Sequence, residues 1–233
     1  IIETMKHHRV DGMLISISKN TSRYDHFESL KKINIPVVFF DRIPKMNNIH
    51  YVACNMQTGT SEAVDFLLKK GHRAIGMING PETLLCSQDR VSGYIHAMRK
   101  NRLKYDPSLI ISTDLTPESV EQAIDQLLSS RRKTSAIVTF NDYVALDAMQ
   151  YMKKLKLKIN KDIQVVSYAN FPLTQFLEHA PLASVEQFPY LQGQKAMETL
   201  LELIAKNKEN EEGSNSAYFK IILDSKLVIS RKN

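Results

Sequence analysis

The chain has 233 residues, 43% hydrophobic and 24% charged, with a formal net charge of +6 and a pI near 9.2. That supplies apolar material for one large domain or two small ones and excludes a disordered or fibrous chain. Two cysteines, Cys54 and Cys86, exclude a disulfide framework and suit a reducing compartment, and no apolar run approaches the length of a membrane span.

Residues 1–9 read as the end of a helix, and a chain that opens on Ile1 reads as cut from something longer. Val10-Asp11-Gly12 is a turn into a strand over residues 13–17. Phe27, Leu30 and Lys31 follow at helical spacing. Residues 37–40, all apolar, fit a strand of a parallel sheet covered on both faces. Asp41 and Arg42 close that strand at its carboxyl end, where open α/β sheets bind ligands. Asp41 serves equally well as the start of the next turn. Residues 49–53 form another extended piece. A helix over about 58–70 then carries Thr60, Ala63, Val64, Leu67 and Leu68 on one stripe.

Gly71 is placed to end that helix, because the residue after a helix often adopts a left-handed conformation that glycine tolerates. Residues 74–78 are a buried strand stopped by Asn79-Gly80-Pro81. Val91, Tyr94, Ile95 and Met98 then recur at helical spacing. The loop over 79–90 therefore lies where a binding site forms. Within it Arg90 either pairs with Asp89 or Glu82 on the surface or turns its five donors to a ligand. A strand follows at 109–111. Thr116-Pro117-Glu118 starts a helix with a cap, a proline at the first position and an early acid. Residues 136–140 are the next strand. It ends at Asn141-Asp142, ahead of a helix with Ala145, Ala148, Met149 and Met152 on one face. Asn141 suits a helix cap. Residues 163–168 are another buried strand, followed by Ala169 and Asn170. Tyr168 and Phe171 serve as core or as stacking surfaces. Met197, Leu200, Leu201 and Ile204 mark a late helix. Residues 206–216 are polar and read as a surface loop, and strands follow at 218–223 and 227–229.

The basic runs at 99–104, 131–133 and 153–161 have no interleaved aromatics and read as solvated helix ends and turns. The histidines have no metal-ligand spacing, and there is neither a glycine-rich phosphate loop nor a nucleophile elbow. No catalytic constellation stands out, so the expectation is a binding protein without cofactor or metal, not an enzyme.

The wording "GHRAIGMINGP…R-x-x-GY", "DG-x-L-I…IPVVFFDR" and "Asn-Asp-x-x-Ala-Leu-x-Ala-Met" resembles the LacI/GalR family of bacterial transcription regulators, and the resemblance covers nearly the whole chain. It implies an α/β fold of two Rossmann-like lobes with parallel sheets joined by three crossings, like the periplasmic binding proteins. The expected division is 1–52 with 188–216 in the N-terminal lobe, and 53–187 with 217–233 in the C-terminal lobe. It further implies that the first strands of the N-terminal lobe and the helix-turn-helix are missing, which would leave a sheet edge open.

The function implied is that of a cytoplasmic, homodimeric regulator. It would sense a small molecule, a sugar or sugar derivative, in the cleft between lobes. It would contact operator DNA through a domain outside this chain, with no membrane partner. Arg90, Asn141, Asp142, Asp41, Tyr168 and Asn170 are the implied ligand contacts. Where the family usually has aspartate, this chain has Ala169, which accepts no side-chain hydrogen bond. Asn170 substitutes for it, or the ligand is not a plain sugar, or binding is weakened. The passage Ala53-Cys54-Asn55 likewise lacks the usual aspartate of the first crossing. A periplasmic solute-binding protein of a transporter shares the two-lobe plan and is the alternative.

Overall fold

The computed structural model describes residues 2–208 and 217–230. Two compact units form, one from Ile1–Cys54 with Phe188–Leu223, the other from Asn55–Gln187 with Asp224–Asn233, so the chain passes between them three times.

In the first unit, β1 (Met13–Ile15), β2 (Val37–Phe40), β3 (His50–Cys54) and β9 (Lys220–Leu223) make a parallel sheet in the order β1-β2-β3-β9. Side chains alternate along a strand, and the packing follows that alternation. Val38 and Val52 meet Ala196, Leu200 and Leu203 of α7 (Pro189–Lys208) on one face. Phe39 meets Phe27 of α2 (Asp25–Lys31), with Ile17 and Ile49, on the other. A short α1 spans Ile2–His7. One part of the expected division is corrected here. Residues 217–223 belong to the first unit, because β9 pairs with β3 from Tyr51↔Lys220 to Cys54↔Leu223. Ala53 and Cys54 belong there for the same reason, as the end of β3. The expected loop over 206–216 is also shortened. α7 runs through Lys208, with Lys206 paired to Glu202 one turn earlier at 2.7 Å, and the remainder lies outside the described residues.

In the second unit the sheet order is β10-β8-β7-β6-β4-β5, from β4 (Ile75–Asn79), β5 (Ile110–Ser112), β6 (Ala136–Thr139), β7 (Gln164–Tyr168), β8 (Ala183–Glu186) and β10 (Lys226–Ile229). Every pairing is parallel except β10 with β8. α3 (Met56–Lys69) and α4 (Leu85–Lys100) pack together on one face, and α5 (Pro117–Ser129) and α6 (Asp142–Lys154) on the other. Ile78, Ile137 and Val165 meet Val120, Ile124, Leu127, Ala148 and Met152 in one continuous core. The helix ends follow sequence chemistry. Gly71 takes φ +97°, and the bonds His72 N–H to Leu67 O and Gly71 N–H to Leu68 O close α3 in a Schellman turn. Asn55 caps its start, accepting from Thr58 N at 3.1 Å, so the missing aspartate of the first crossing leaves no cap unfilled. Thr116 caps α5, accepting from Ser119 N.

Candidate functional site

β4 leads through α4 to β5 on one side, while β6 lies on the other, so the chain changes direction at the neighbouring strands β4 and β6. Open α/β sheets place ligands beyond the carboxyl ends of strands at such a point. Three side chains converge there. Phe140 directly follows β6, Tyr168 ends β7, and Arg90 comes from the second turn of α4. The Arg90 guanidinium lies 4.2 Å from the Phe140 ring centroid and 4.5 Å from that of Tyr168. Gly80 makes room for this arrangement, since a Cβ there would sit 2.6 Å from the Phe140 ring.

Arg90 is only 3% exposed. Its Nη1 donates to Cys86 O at 3.3 Å, but its Nε has no partner. Among the described residues no ion pair involves it. Burying an unpaired ion costs several kcal/mol, and two cation–π contacts return about 1–2 kcal/mol each when desolvated. The cluster therefore lacks a hydrogen-bond acceptor at Arg90. Asp89, on the adjoining face of α4, has its carboxyl raised by partial desolvation and partly lowered again by the Arg90 charge.

Asn141 caps α6, its side-chain oxygen accepting from Val144 N at 2.9 Å. Asp142 is 1% exposed and held from within. It accepts from Phe171 N at 2.7 Å and from Ser184 Oγ at 3.0 Å. Burial pushes its carboxyl up, the donors Phe171 N–H, Ser167 and Ser184 pull it back, and the Glu186 charge adds to the rise. Asp142 thus ties the turn after β7 to β8.

Tyr168 is fully buried. Its hydroxyl bonds to Thr60 Oγ1 and donates to Met56 O at 3.2 Å, which fixes the ring that Arg90 rests on. Ala169 and Asn170 both take positive φ, +89° and +49°. Such backbone is strained for alanine and is typical of binding loops. Asn170 N donates to Ser184 Oγ, and its Nδ2 donates to Glu186 Oε2, both at 2.9 Å. Asp41, also at positive φ (+57°), belongs to the first unit, where its carboxylate lies 3.7 Å from Arg42 Nε.

The second unit therefore brings Arg90, Asn141, Asp142, Tyr168 and Asn170 to one end of one sheet. Sequence reasoning missed Phe140 and Ser184. Phe140 stood next to Asn141-Asp142 at a strand end, which was its only signal. Among the described residues no group of three or more His, Cys, Asp or Glu is placed to hold a metal, and no helix is long and apolar enough to cross a membrane.

Two parallel α/β units exchanging the chain three times define the class of two-lobed binding proteins. The family profile described as periplasmic binding proteins and sugar binding domain of LacI family matches residues 1–222, and the chain belongs to that family. Among curated relatives, the HTH-type transcriptional repressor CytR of Escherichia coli K12 is 30% identical over 194 residues, covering 83% of this chain and 56% of its own. The chain thus spans little more than half the length of that relative. Among solved structures, a regulatory protein of LacI family from Chloroflexus aggregans superposes with a TM-score of 0.81 at 28% identity, covering 99% of this chain and 79% of its own. The transcriptional regulator CelR, solved as a cellobiose complex, shares the fold with a TM-score of 0.86 at 22% identity, covering 100% of this chain and 68% of its own.

Proposed function

We propose that this chain is the effector-sensing part of a cytoplasmic, homodimeric LacI-type transcription repressor, whose operator contacts lie in another part of the protein. The observation that carries the sensing role is Arg90, a buried guanidinium stacked between two rings with an unpartnered Nε. A small molecule bearing hydroxyl, carbonyl or acidic oxygens supplies the missing acceptor. Asn141 and Asn170 edge the same cluster and add amide contacts. Tyr168 and Asp142 act one step back, the first as the stacking wall and the second as the tie that holds the Ala169–Asn170 turn. The curated relative named above is a repressor and the Chloroflexus aggregans structure is a regulatory protein, which favours this reading over a transport receptor or an enzyme.

The ligand need not be a plain sugar. With Ala169 where the family usually has aspartate, no carboxylate at that position accepts from ligand hydroxyls, and the unpartnered Arg90 Nε still calls for an acceptor. A sugar phosphate or a carboxylated sugar meets that need better than a neutral one. Ligand bound to one arrangement of the protein would shift its population and so alter DNA binding elsewhere.

Calorimetric titration tests this with cellobiose, ribose and ribose 5-phosphate. Arg90→Met keeps the stem and removes the donors. We expect it to weaken binding at least tenfold, the loss of one charge-assisted hydrogen bond of about 1.5–3 kcal/mol, with thermal stability held or raised. Unchanged affinity would remove Arg90 from the site.

A further inference from the structure

A separate cavity of about 530 Å³ lies in the second unit between α4 and the edge strand β5, within the usual range of about 300–1,000 Å³ for small-molecule sites. Val91 and Ile95 of α4, Tyr105 beyond it and Ile110 of β5 give it an apolar lining. Consecutive residues of an α-helix project about 100° apart. Val91 and Ile95 therefore lie about 100° and 140° round α4 from Arg90, so the apolar wall of the groove is separate from the Arg90 cluster, whereas Ser87 lies only about 60° from it.

The inner end of this groove is polar and unsatisfied. Asn79 and Ser87 line it, each 1% exposed. Asn79 Nδ2 donates to Ser87 O at 3.0 Å, but Asn79 Oδ1 and Ser87 Oγ have no partner. Native proteins rarely leave one such atom unmet. Here two unmet atoms on hydrogen-bonded neighbours border one cavity, and the hydrogen-bonding edge of a ligand would satisfy both.

The surroundings select the ligand. Asn79 Oδ1 only accepts, so the ligand must donate there, and the Ser87 hydroxyl takes either role. Glu82, which accepts from Ser112 Oγ at 3.1 Å at the rim, disfavours an anion. The start of α4, the positive end of its dipole, disfavours a cation. A groove walled by Val91, Ile95, Ile110 and an aromatic ring suits a flat ring.

We propose that this groove binds a neutral planar heteroaromatic compound whose N–H edge meets Asn79 Oδ1 and Ser87 Oγ, at a site distinct from the Arg90 cluster. Heteronuclear NMR titration of the isotope-labelled chain tests it with 9-methyladenine and with 9-methylpurine, which lacks the amino group. 9-Methyladenine should shift the resonances of Ser87, Val91, Ile95 and Ile110. 9-Methylpurine should bind about tenfold more weakly. Ser87→Ala should weaken 9-methyladenine about five- to tenfold without lowering thermal stability, because the hydroxyl it removes has no partner. Ser92→Trp, on the exposed rim, should fill the groove and abolish the shifts. Absence of shifts with 9-methyladenine, shifts confined to Arg90, Phe140 and Tyr168, or equal affinity of the two compounds would each overturn the proposal. So would binding that both variants leave intact.

Discussion

In the second unit β4, β6 and β7 of a six-stranded sheet share one continuous core with α5 and α6, whereas in the first unit four strands separate two small clusters, one under α7 and one under α2. The difference shows how one architectural plan yields unequal robustness. A side chain in a continuous core touches many fully buried neighbours, and deletion leaves a cavity that collapses poorly. In the first unit the cluster under α7 has only five buried members, and one of them, Leu203, keeps 9% of its surface in solvent. The unit with the continuous core is also the one that carries Arg90 and the polar turn after β7. A buried cation needs surroundings that do not give way.

The largest expected effect is at the α3–α4 contact. A Cβ on Gly93 would sit 2.2 Å from the backbone oxygen of Gln57, which has no room to retreat. Gly93→Ala should cost about 3 kcal/mol or more, measured by urea denaturation, and the loss should appear in the second unit. Next comes a matched pair. Ile124→Ala, in the continuous core, should cost about 3 kcal/mol, and Leu200→Ala, in the small cluster under α7, about 2 kcal/mol. Equal losses would erase the contrast between the units. Asn141→Ala removes the cap of α6 and should cost about 1 kcal/mol by the same assay.

The smallest effect concerns acid. Burial lowers the pKa of His50 below its ordinary 6.5, and the charges of Lys31 and Lys206 lower it further. A group with a depressed folded pKa contributes stability that is present above its unfolded pKa and lost as pH falls through the folded value. His50 Nδ1 also accepts from Phe219 N at 3.2 Å, beside β9, a bond that a protonated ring nitrogen cannot accept. Below pH 6.5, hydrogen exchange corrected for intrinsic rates should quicken in β9 but not in β10. His50→Leu should remove that dependence. Equal quickening in both strands would assign the effect elsewhere.

Much of this was legible in the sequence because the signals are local. The Gly71 turn, the Thr116 and Asn141 caps and the stripes of α3, α5 and α6 each depend on residues a few positions apart. Arg90 was legible through its motif, although the rings on either side of it were not. Phe140 and Tyr168 come from separate strands, and only the sheet brings them together. Nothing near Asp142 in sequence revealed Ser184 or the Phe171 N–H as its donors. The assignment of β9 failed for the same reason. Its polar approach resembles a passage into the second unit, and its partner β3 lies most of the chain away.

The pairing of β3 with β9 also sets an order of events during synthesis. A ribosome releases the chain from its N-terminus, so β1, β2 and β3 must wait for β9, which follows every strand of the second unit but β10. The second unit has all its helices and every strand but the edge strand β10 in hand by Glu186. The second unit is therefore positioned to fold first, while the open β3 edge of the first unit's sheet is a hazard for mispairing until β9 emerges.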